Sequence, residues 1–383
     1  MTSVAPKNHS VALDGLRGLA ILLVFILHTI TLPDFGYTTA LHVLALGHYG
    51  VDVFFCLSGF LITGILYRNK VLPYYFRNFY GRRTLRIFPL YYLYLFLYYE
   101  LVVRLKIVNF GASKTAQAAS DLHWTWFYAT NLAILVQGHY VTASLNLFWT
   151  LAIEEHFYLV WPLIILWLSP KRLLGAVGII SVVALALRTF MLHHGFPGYV
   201  VGTFTLCRID SFAIGGAASV LLSLPEWRQR LVQIAPLAVG PMLALFLVIQ
   251  FRLGAPAIMT YGYTVLAIAL SLVIVCATVF TESKWVAIFR SRPMTFLGKY
   301  SYSLYVFHVP IQILISRKLP IERIMNTIHN PVAATIFSSA IVGILSIGVA
   351  LMTWNLYEKH FLALKKYLDN STVGRKRDLG VAR

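Results

Sequence analysis

Stretches of about twenty apolar residues recur along this 383-residue chain, and they constrain its fold more than any other feature. They run roughly over 12–32, 47–67, 85–107, 148–168, 173–193, 205–224, 232–252, 258–281, 297–316 and 332–355. A helix of about 20 residues is about 30 Å long, the thickness of a bilayer's hydrocarbon core. Inside lipid every backbone N–H and C=O must be satisfied within the protein, so runs of this length are read as helices. The expected fold is therefore all-α, a polytopic transmembrane bundle of about ten spans. Composition agrees: 58% of residues are hydrophobic and 12% charged, against about 25% charged in soluble chains. Length alone would suggest two or three soluble domains. The even spacing of the apolar blocks argues instead for one membrane domain over residues 1–360, followed by a basic tail, 361–383. That tail is expected to be poorly ordered or to lie on the inner leaflet. The first block, from near Val11 past Thr29, is too long for a cleaved signal sequence and reads as the first span. A shorter apolar stretch, Trp124 to Val136, follows a polar loop (Asn109 to His123) and carries Trp124, Trp126 and Tyr128. Aromatic residues favour the membrane interface, so this stretch is expected to be interfacial or re-entrant.

The net charge of +18 is mostly a statement about topology. Basic residues collect in alternate loops: Arg68, Lys70, Arg77, Arg82, Arg83 and Arg86; then Lys171 and Arg172; then Arg228 and Arg230; then Lys284, Arg290 and Arg292; then Lys359, Lys365, Lys366, Arg375, Lys376 and Arg377 in the tail. With ten spans all of these fall on one side, which the positive-inside rule makes the cytoplasm, with both termini there. Arg317, Lys318 and Arg323 are the main exception. No nucleic-acid-binding module is recognisable. Cys56, Cys207 and Cys276 each sit in an apolar block without metal-ligand spacing, so neither a zinc site nor a disulfide framework is expected.

Ionisable groups inside spans are expensive and mark function by default. The first span carries Asp14, Arg17 and His28. Arg17 and His28 lie eleven residues apart, on one helix face and roughly 16 Å apart along its axis. A histidine here is either a structural hydrogen-bonding group or a base suited to proton transfer near neutral pH. The second span places Asp52 near one end and Ser58-Gly59 in its middle; small residues of that kind also serve helix packing. Arg86, three residues before Pro89, is poorly explained by charge bias alone. Its planar fork suits phosphate, from a soluble anion or a lipid headgroup. The fourth span opens at Trp149 and brings Glu154, Glu155 and His156 into the membrane, with Tyr158 one turn after Glu154. Arg208 and Asp210 open the sixth span and could satisfy each other or their neighbours. His308 shares a face with Ser301 in the ninth, as a structural or a functional group.

Taken together these segments resemble the acyltransferase 3 family of membrane acyltransferases. The matching runs are Leu-Asp-Gly-Leu-Arg-Gly-Leu-Ala at 13–20 with its downstream His28, Phe-Phe-x-x-Ser-Gly-Phe-Leu at 54–61, Arg-Arg-x-x-Arg-Ile-x-Pro-x-Tyr at 82–91, Trp149 to Tyr158, Arg-x-Asp-x-Phe-x-x-Gly at 208–215, and Ser-Tyr-Ser-Leu-Tyr-x-x-His at 301–308. They follow the family's order from residue 13 to about 310. The resemblance implies an O-acyltransferase in the cell membrane. Its donor would be cytoplasmic acyl-CoA, acetyl-CoA first among them. Its acceptor would be a hydroxyl of a cell-surface or lipid-linked carbohydrate such as exopolysaccharide or lipopolysaccharide. Carried over residue by residue, Arg17 and His28 match the family's essential pair, Glu154 and Tyr158 its fourth motif, and Arg82, Arg83 and Arg86 its basic loop. Thr150 stands where the family usually has Ser, and His156 where it has Gln; the second change alters the charge options near Glu154 and so bears on acceptor choice. Some members add a C-terminal hydrolase-like domain. The expectation here is a chain that completes transfer itself or relies on a separate protein.

The expected mechanism has Arg82, Arg83, Arg86 and Arg17, with Ser58, holding the donor. His28 acts as general base or accepts the acyl group, Glu154 and Tyr158 complete the catalytic set, and Asp14, Asp52, Trp149, Arg208, Asp210 and His308 support the site or bind substrate. No metal is invoked. Two other readings stay open: acylation of a small molecule such as a macrolide or lipid, and a proton-coupled transporter. The transporter reading would favour inverted repeats, and none is evident.

Overall fold

The computed structural model describes residues 10–30, 44–106 and 112–368. Residues 31 and 32 of the first expected span, Ile107 at the end of the third, residues 109–111 of the polar loop, and the tail from 369 onward, with Arg375, Lys376 and Arg377, lie outside the described residues. Among those described there are helices and no strands. The main helices are α1 (Val11–Thr29), α2 (Gly50–Asn69), α3 (Tyr75–Tyr98), α4 (Ala112–Trp126), α5 (Thr130–Gln137), α6 (Trp149–Trp167), α7 (Pro170–His193), α8 (Thr205–Ser223), α9 (Pro225–Val248), α10 (Tyr263–Val279), α11 (Arg292–Lys318), α12 (Ile321–Ile328) and α13 (Pro331–Thr353). All ten expected stretches coincide with a long helix.

Among the described residues seven windows are long and apolar enough to cross a membrane, and one of them, Pro225–Val279, contains both α9 and α10. The remaining two long helices, α3 and α11, do not meet that apolar standard. They are the helices that bring arginines, tyrosines and serines into the bundle. The stretch Trp124 to Val136 breaks at Tyr128, whose φ is +53°, into the ends of α4 and α5. At eight residues, α5 is about 12 Å long and cannot cross a bilayer.

Local chemistry sets the helix starts. Ser169 accepts a hydrogen bond from the Arg172 N–H ahead of Pro170, and Asn330 accepts one from the Ala333 N–H ahead of Pro331. Proline at the first helical position loses no intrahelical bond, and the cap satisfies an orphan donor. Packing then separates a central from a peripheral set. The α2 and α8 windows are each 61% buried, whereas the α7 window is only 22% buried. Ile179, Val182 and Ile344 stand exposed on α7 and α13, as expected of lipid-facing surface.

Two close crossings hold the centre. On α1 and α11, a Cβ at Gly18 would strike the Met294 backbone, and one at Gly298 would strike the backbone of Asp14. On α2 and α8, Gly59 lies against the Phe212 backbone and Gly215 against that of Cys56. Association in lipid depends on such contacts between small residues, because apolar burial offers no advantage there. Gly59→Leu is therefore expected to abolish the monodisperse species in size-exclusion chromatography of detergent-solubilised protein. Gly178→Leu on α7, where nothing lies within 4 Å of the added Cβ, should leave the elution profile unchanged.

Candidate active site

Three adjoining cavities lie in the bundle interior among the described residues. A cavity of about 580 Å³ is walled by His28, His48, Asp52, Trp149, Arg208, Tyr263 and Gln312, among others. A narrower space of about 100 Å³ is walled by Arg17, Ser58, Arg83, Arg86, Glu154, Tyr158 and Tyr302. A third, of about 520 Å³, is walled by Asp14, Arg17, Arg86, Arg292, Lys299, Trp354 and Glu358. The narrow space shares Val51, Thr150 and Tyr305 with the first cavity, and Arg17, Arg86 and Tyr302 with the third. It is thus a throat between a histidine cavity and an arginine cavity. The spacing of Arg17 and His28 along α1 aligns this series with the helix axis.

Helix α1 supplies both ends. Arg17 donates to the Asp14 carboxylate at 2.8 Å, one turn earlier. At the other end the His28 Nδ1 lies 2.8 Å from the Val24 carbonyl and 3.3 Å from Nε2 of His308. Gln312 donates from its side-chain amide to the His28 backbone carbonyl, which ties α11 to the end of α1. His308 is fully buried.

The throat is organised around Glu154. Its Oε1 accepts from Ser58 Oγ at 2.5 Å and from the Tyr158 hydroxyl, joining α2 to α6. The i, i+4 spacing of Glu154 and Tyr158 makes the second bond possible. The Arg83 guanidinium lies 5.6 Å from the centre of the Tyr158 ring. Thr150 and Tyr305 meet at 2.6 Å where the throat adjoins the histidine cavity. Glu154 and His28 line different cavities, so the carboxylate does not orient the imidazole directly.

Sequence reasoning left open whether Arg208 and Asp210 pair with each other, and they do not. Arg208 donates to Asp52 at 2.5 Å, with both side chains 2% exposed. Its guanidinium also covers Tyr263 at 3.6 Å from the ring centre. Asp210 instead pairs with Arg188 at 3.0 Å and accepts from Thr264 at 2.7 Å. Arg188 further donates to the carbonyls of Thr260 and Cys207 and to the Thr264 hydroxyl, so each of its three nitrogens has a partner. Among the described residues Arg208 Nε and Nη1 have no hydrogen-bond partner, and neither has the buried Oδ1 of Asn146, a residue of the same cavity wall. Trp149 packs edge-on against Phe55, 6.1 Å between centres, and forms part of the same wall.

The basic residues divide. Arg83 and Arg86 line the throat. Arg82 points elsewhere and donates to the Leu368 carbonyl at 3.0 Å. Arg292 and Lys299, counted in sequence only as loop charge or not at all, join Arg17 and Arg86 around the arginine cavity. His156 turns away from Glu154 and lies 2.8 Å from the Thr205 hydroxyl, outside all three cavities. Among the described residues no cluster of three or more His, Cys, Asp or Glu has metal-binding geometry. Cys56, Cys207 and Cys276 are buried and unpaired. Arg188, His48, Gln312 and Glu358 escaped sequence reasoning. Arg188 alone had a usable signal, being an arginine deep in an apolar stretch.

A family model described as an acyltransferase domain matches residues 10–354. Among curated proteins, the chain is 26% identical over 325 residues to "O-acetyltransferase OatA" of Staphylococcus aureus (strain NCTC 8325 / PS 47), covering 79% of this chain and 51% of that one. It is 27% identical over 341 residues to "Peptidoglycan O-acetyltransferase OatA" of Listeria monocytogenes, covering 83% and 51%. It is 26% identical over 356 residues to "Putative peptidoglycan O-acetyltransferase YrhL" of Bacillus subtilis, covering 87% and 53%. The chain spans about half the length of these relatives. No solved structure matches.

Proposed function

The chain belongs to the acyltransferase 3 family, and on that premise we propose that it is a membrane O-acyltransferase moving an acetyl group from acetyl-CoA to a carbohydrate hydroxyl. The observation that carries the reading is the series of cavities: a cationic chamber, a polar throat, and a chamber holding His28, all within a bundle of apolar helices. Ten crossings with both termini cytoplasmic would turn the arginine cavity toward the donor's compartment, in keeping with the basic loops.

In this reading Arg17, Arg86, Arg292 and Lys299 bind the CoA phosphates, with Arg83 at the throat. The thioester end of the donor passes Glu154 and Tyr158 toward His28. The acceptor enters the histidine cavity, where the unpartnered donors of Arg208 and the Asn146 Oδ1 match the donor–acceptor character of sugar hydroxyls. His28 then takes the acceptor's proton as general base, or accepts the acetyl group first and passes it on. The names of the relatives make peptidoglycan glycan the first acceptor to test.

The experiment is to reconstitute the protein in liposomes with radiolabelled acetyl-CoA and glycan strands. Transfer of label to the glycan supports the reading. Proton-coupled flux without any CoA release would overturn it in favour of transport. Loss of one charge-assisted phosphate contact in Arg292→Ala should raise the KM for acetyl-CoA about tenfold or more while kcat changes little. An unchanged donor KM would remove Arg292 from the donor site.

A further inference from the structure

We propose that His308 is a positioning residue that fixes the reactive tautomer of His28. The inference rests on reading His28 as the base or acyl acceptor and adds the group that makes it competent. Nucleophiles and bases of this type are usually oriented by a third group. Two nearby carboxylates are committed elsewhere, Asp52 to Arg208 and Glu154 to Ser58 and Tyr158. What faces His28 from α11 is a second imidazole, 5.1 Å between ring centres and inclined at 64°.

The hydrogen-bond pattern assigns every nitrogen. His308 Nδ1 lies 2.8 Å from the Tyr305 carbonyl and 3.0 Å from that of Leu304. Carbonyls only accept, so this nitrogen carries the proton. In neutral His308 the lone pair is then on Nε2, which faces His28 Nδ1 at 3.3 Å. His28 Nδ1 also faces the Val24 carbonyl, so both partners require a proton on it. The consequence is a bare Nε2 on His28, within the wall of the histidine cavity.

Both chemical routes use that lone pair. As base, His28 Nε2 takes the hydroxyl proton while the new C–O bond forms at the thioester carbonyl. Collapse then breaks the C–S bond, and the thiolate leaves with the proton returned from Nε2. As acyl carrier, Nε2 attacks the thioester carbonyl and the C–S bond breaks to release the thiolate, leaving the acetyl group on nitrogen; the acceptor oxygen then attacks that carbonyl, the C–N bond breaks to restore the Nε2 lone pair, and the hydroxyl proton balances the thiolate as the free thiol. In either case His28 becomes transiently cationic, and the His308 lone pair accepts a hydrogen bond from the charged ring. A neutral partner does this without adding a second buried carboxylate beside Asp52.

The test uses histidine labelled with ¹⁵N in protein reconstituted in bilayers, with His28 signals identified by subtracting the His28→Ala spectrum. Wild-type His28 should show the Nδ1–H tautomer; an Nε2–H signal there overturns the proposal without any variant. His308→Phe keeps the ring volume and removes the lone pair, so the His28 signal should become a mixture of tautomers. His308→Gln offers a carbonyl oxygen in its place and should restore the single form. In acetyl transfer, His308→Phe should lower kcat about ten- to a hundredfold with donor KM unchanged, the size of loss seen when the partner that orients a metal-bound imidazole is removed. His308→Gln should recover most of it. A single unchanged tautomer in His308→Phe would mean that the Val24 carbonyl alone holds the ring, and the proposal fails. If wild type transfers no label, the acyltransferase reading fails while the spectra still decide what His308 does to His28.

Discussion

His28→Ala is expected to eliminate acetyl transfer while leaving folded, membrane-inserted protein. A positioned base contributes about 10²–10⁴-fold in rate, and an imidazole that also carried the acetyl group would leave no residual pathway at all. Stability should be nearly retained, because among the described residues the side chain's bonds go to the Val24 carbonyl and to His308. The contact from Gln312 uses the backbone carbonyl of residue 28, which the substitution preserves. The measurement is release of CoA and transfer of radiolabel in liposomes, with protein amount and elution profile compared in parallel. A His28→Ala protein that turns over at the wild-type rate would remove the imidazole from the chemistry and with it the proposed mechanism.

The largest effect on stability is expected at Arg208. Replacing it by leucine leaves Asp52 buried with no counter-charge, in a site where both side chains are 2% exposed. Losing one partner of a buried ion pair costs about 3–5 kcal/mol, because the remaining charge has neither water nor a partner. Asp52→Asn should be destabilising for the reciprocal reason. The double variant Asp52→Asn/Arg208→Leu should be more stable than Arg208→Leu alone, since it removes the stranded charge. Thermal unfolding in detergent gives the order of the four proteins. Equal stability of Arg208→Leu and wild type would mean that the pair is not formed in the membrane. The same variants separate two roles of Arg208. Its bond to Asp52 ties α8 to α2, whereas its unpartnered Nε and Nη1 are the groups assigned to the acceptor. Arg208→Lys, which keeps the charge but not the fork, should therefore harm acceptor KM more than stability.

The sequence by itself determined the helices and the conspicuous polar residues. Helix formation in an apolar block is local: lipid leaves the backbone no other partner, so length and hydropathy place the element. Hence all ten long helices were legible, and so was the failure of Trp124 to Val136 to form an eleventh, although its break at Tyr128 was not. Charged groups in such blocks are also legible, because their cost must be offset somewhere. That argument found Arg17, His28, Asp52, Glu154, Arg208, Asp210 and His308, and applied evenly it would have found Arg188 as well. Even the Glu154–Tyr158 bond was readable, since an i, i+4 spacing is a property of one helix.

Only the tertiary structure decided who meets whom. Asp52 and Arg208 are 156 residues apart, and His28 and His308 are 280 apart. No periodicity encodes a pairing of that kind; it follows from how α1, α2, α8 and α11 cross, and those crossings depend on glycines such as Gly59 and Gly298 that admit a neighbouring backbone. Arg82 and Arg83 are adjacent in sequence, yet a helical step of about 100° per residue sends one toward Leu368 and the other into the throat. The arginine cavity likewise draws Arg17, Arg86, Arg292 and Lys299 from three helices. The lipid environment dictates the elements through their composition, whereas the site depends on side chains meeting across helices, which composition does not specify.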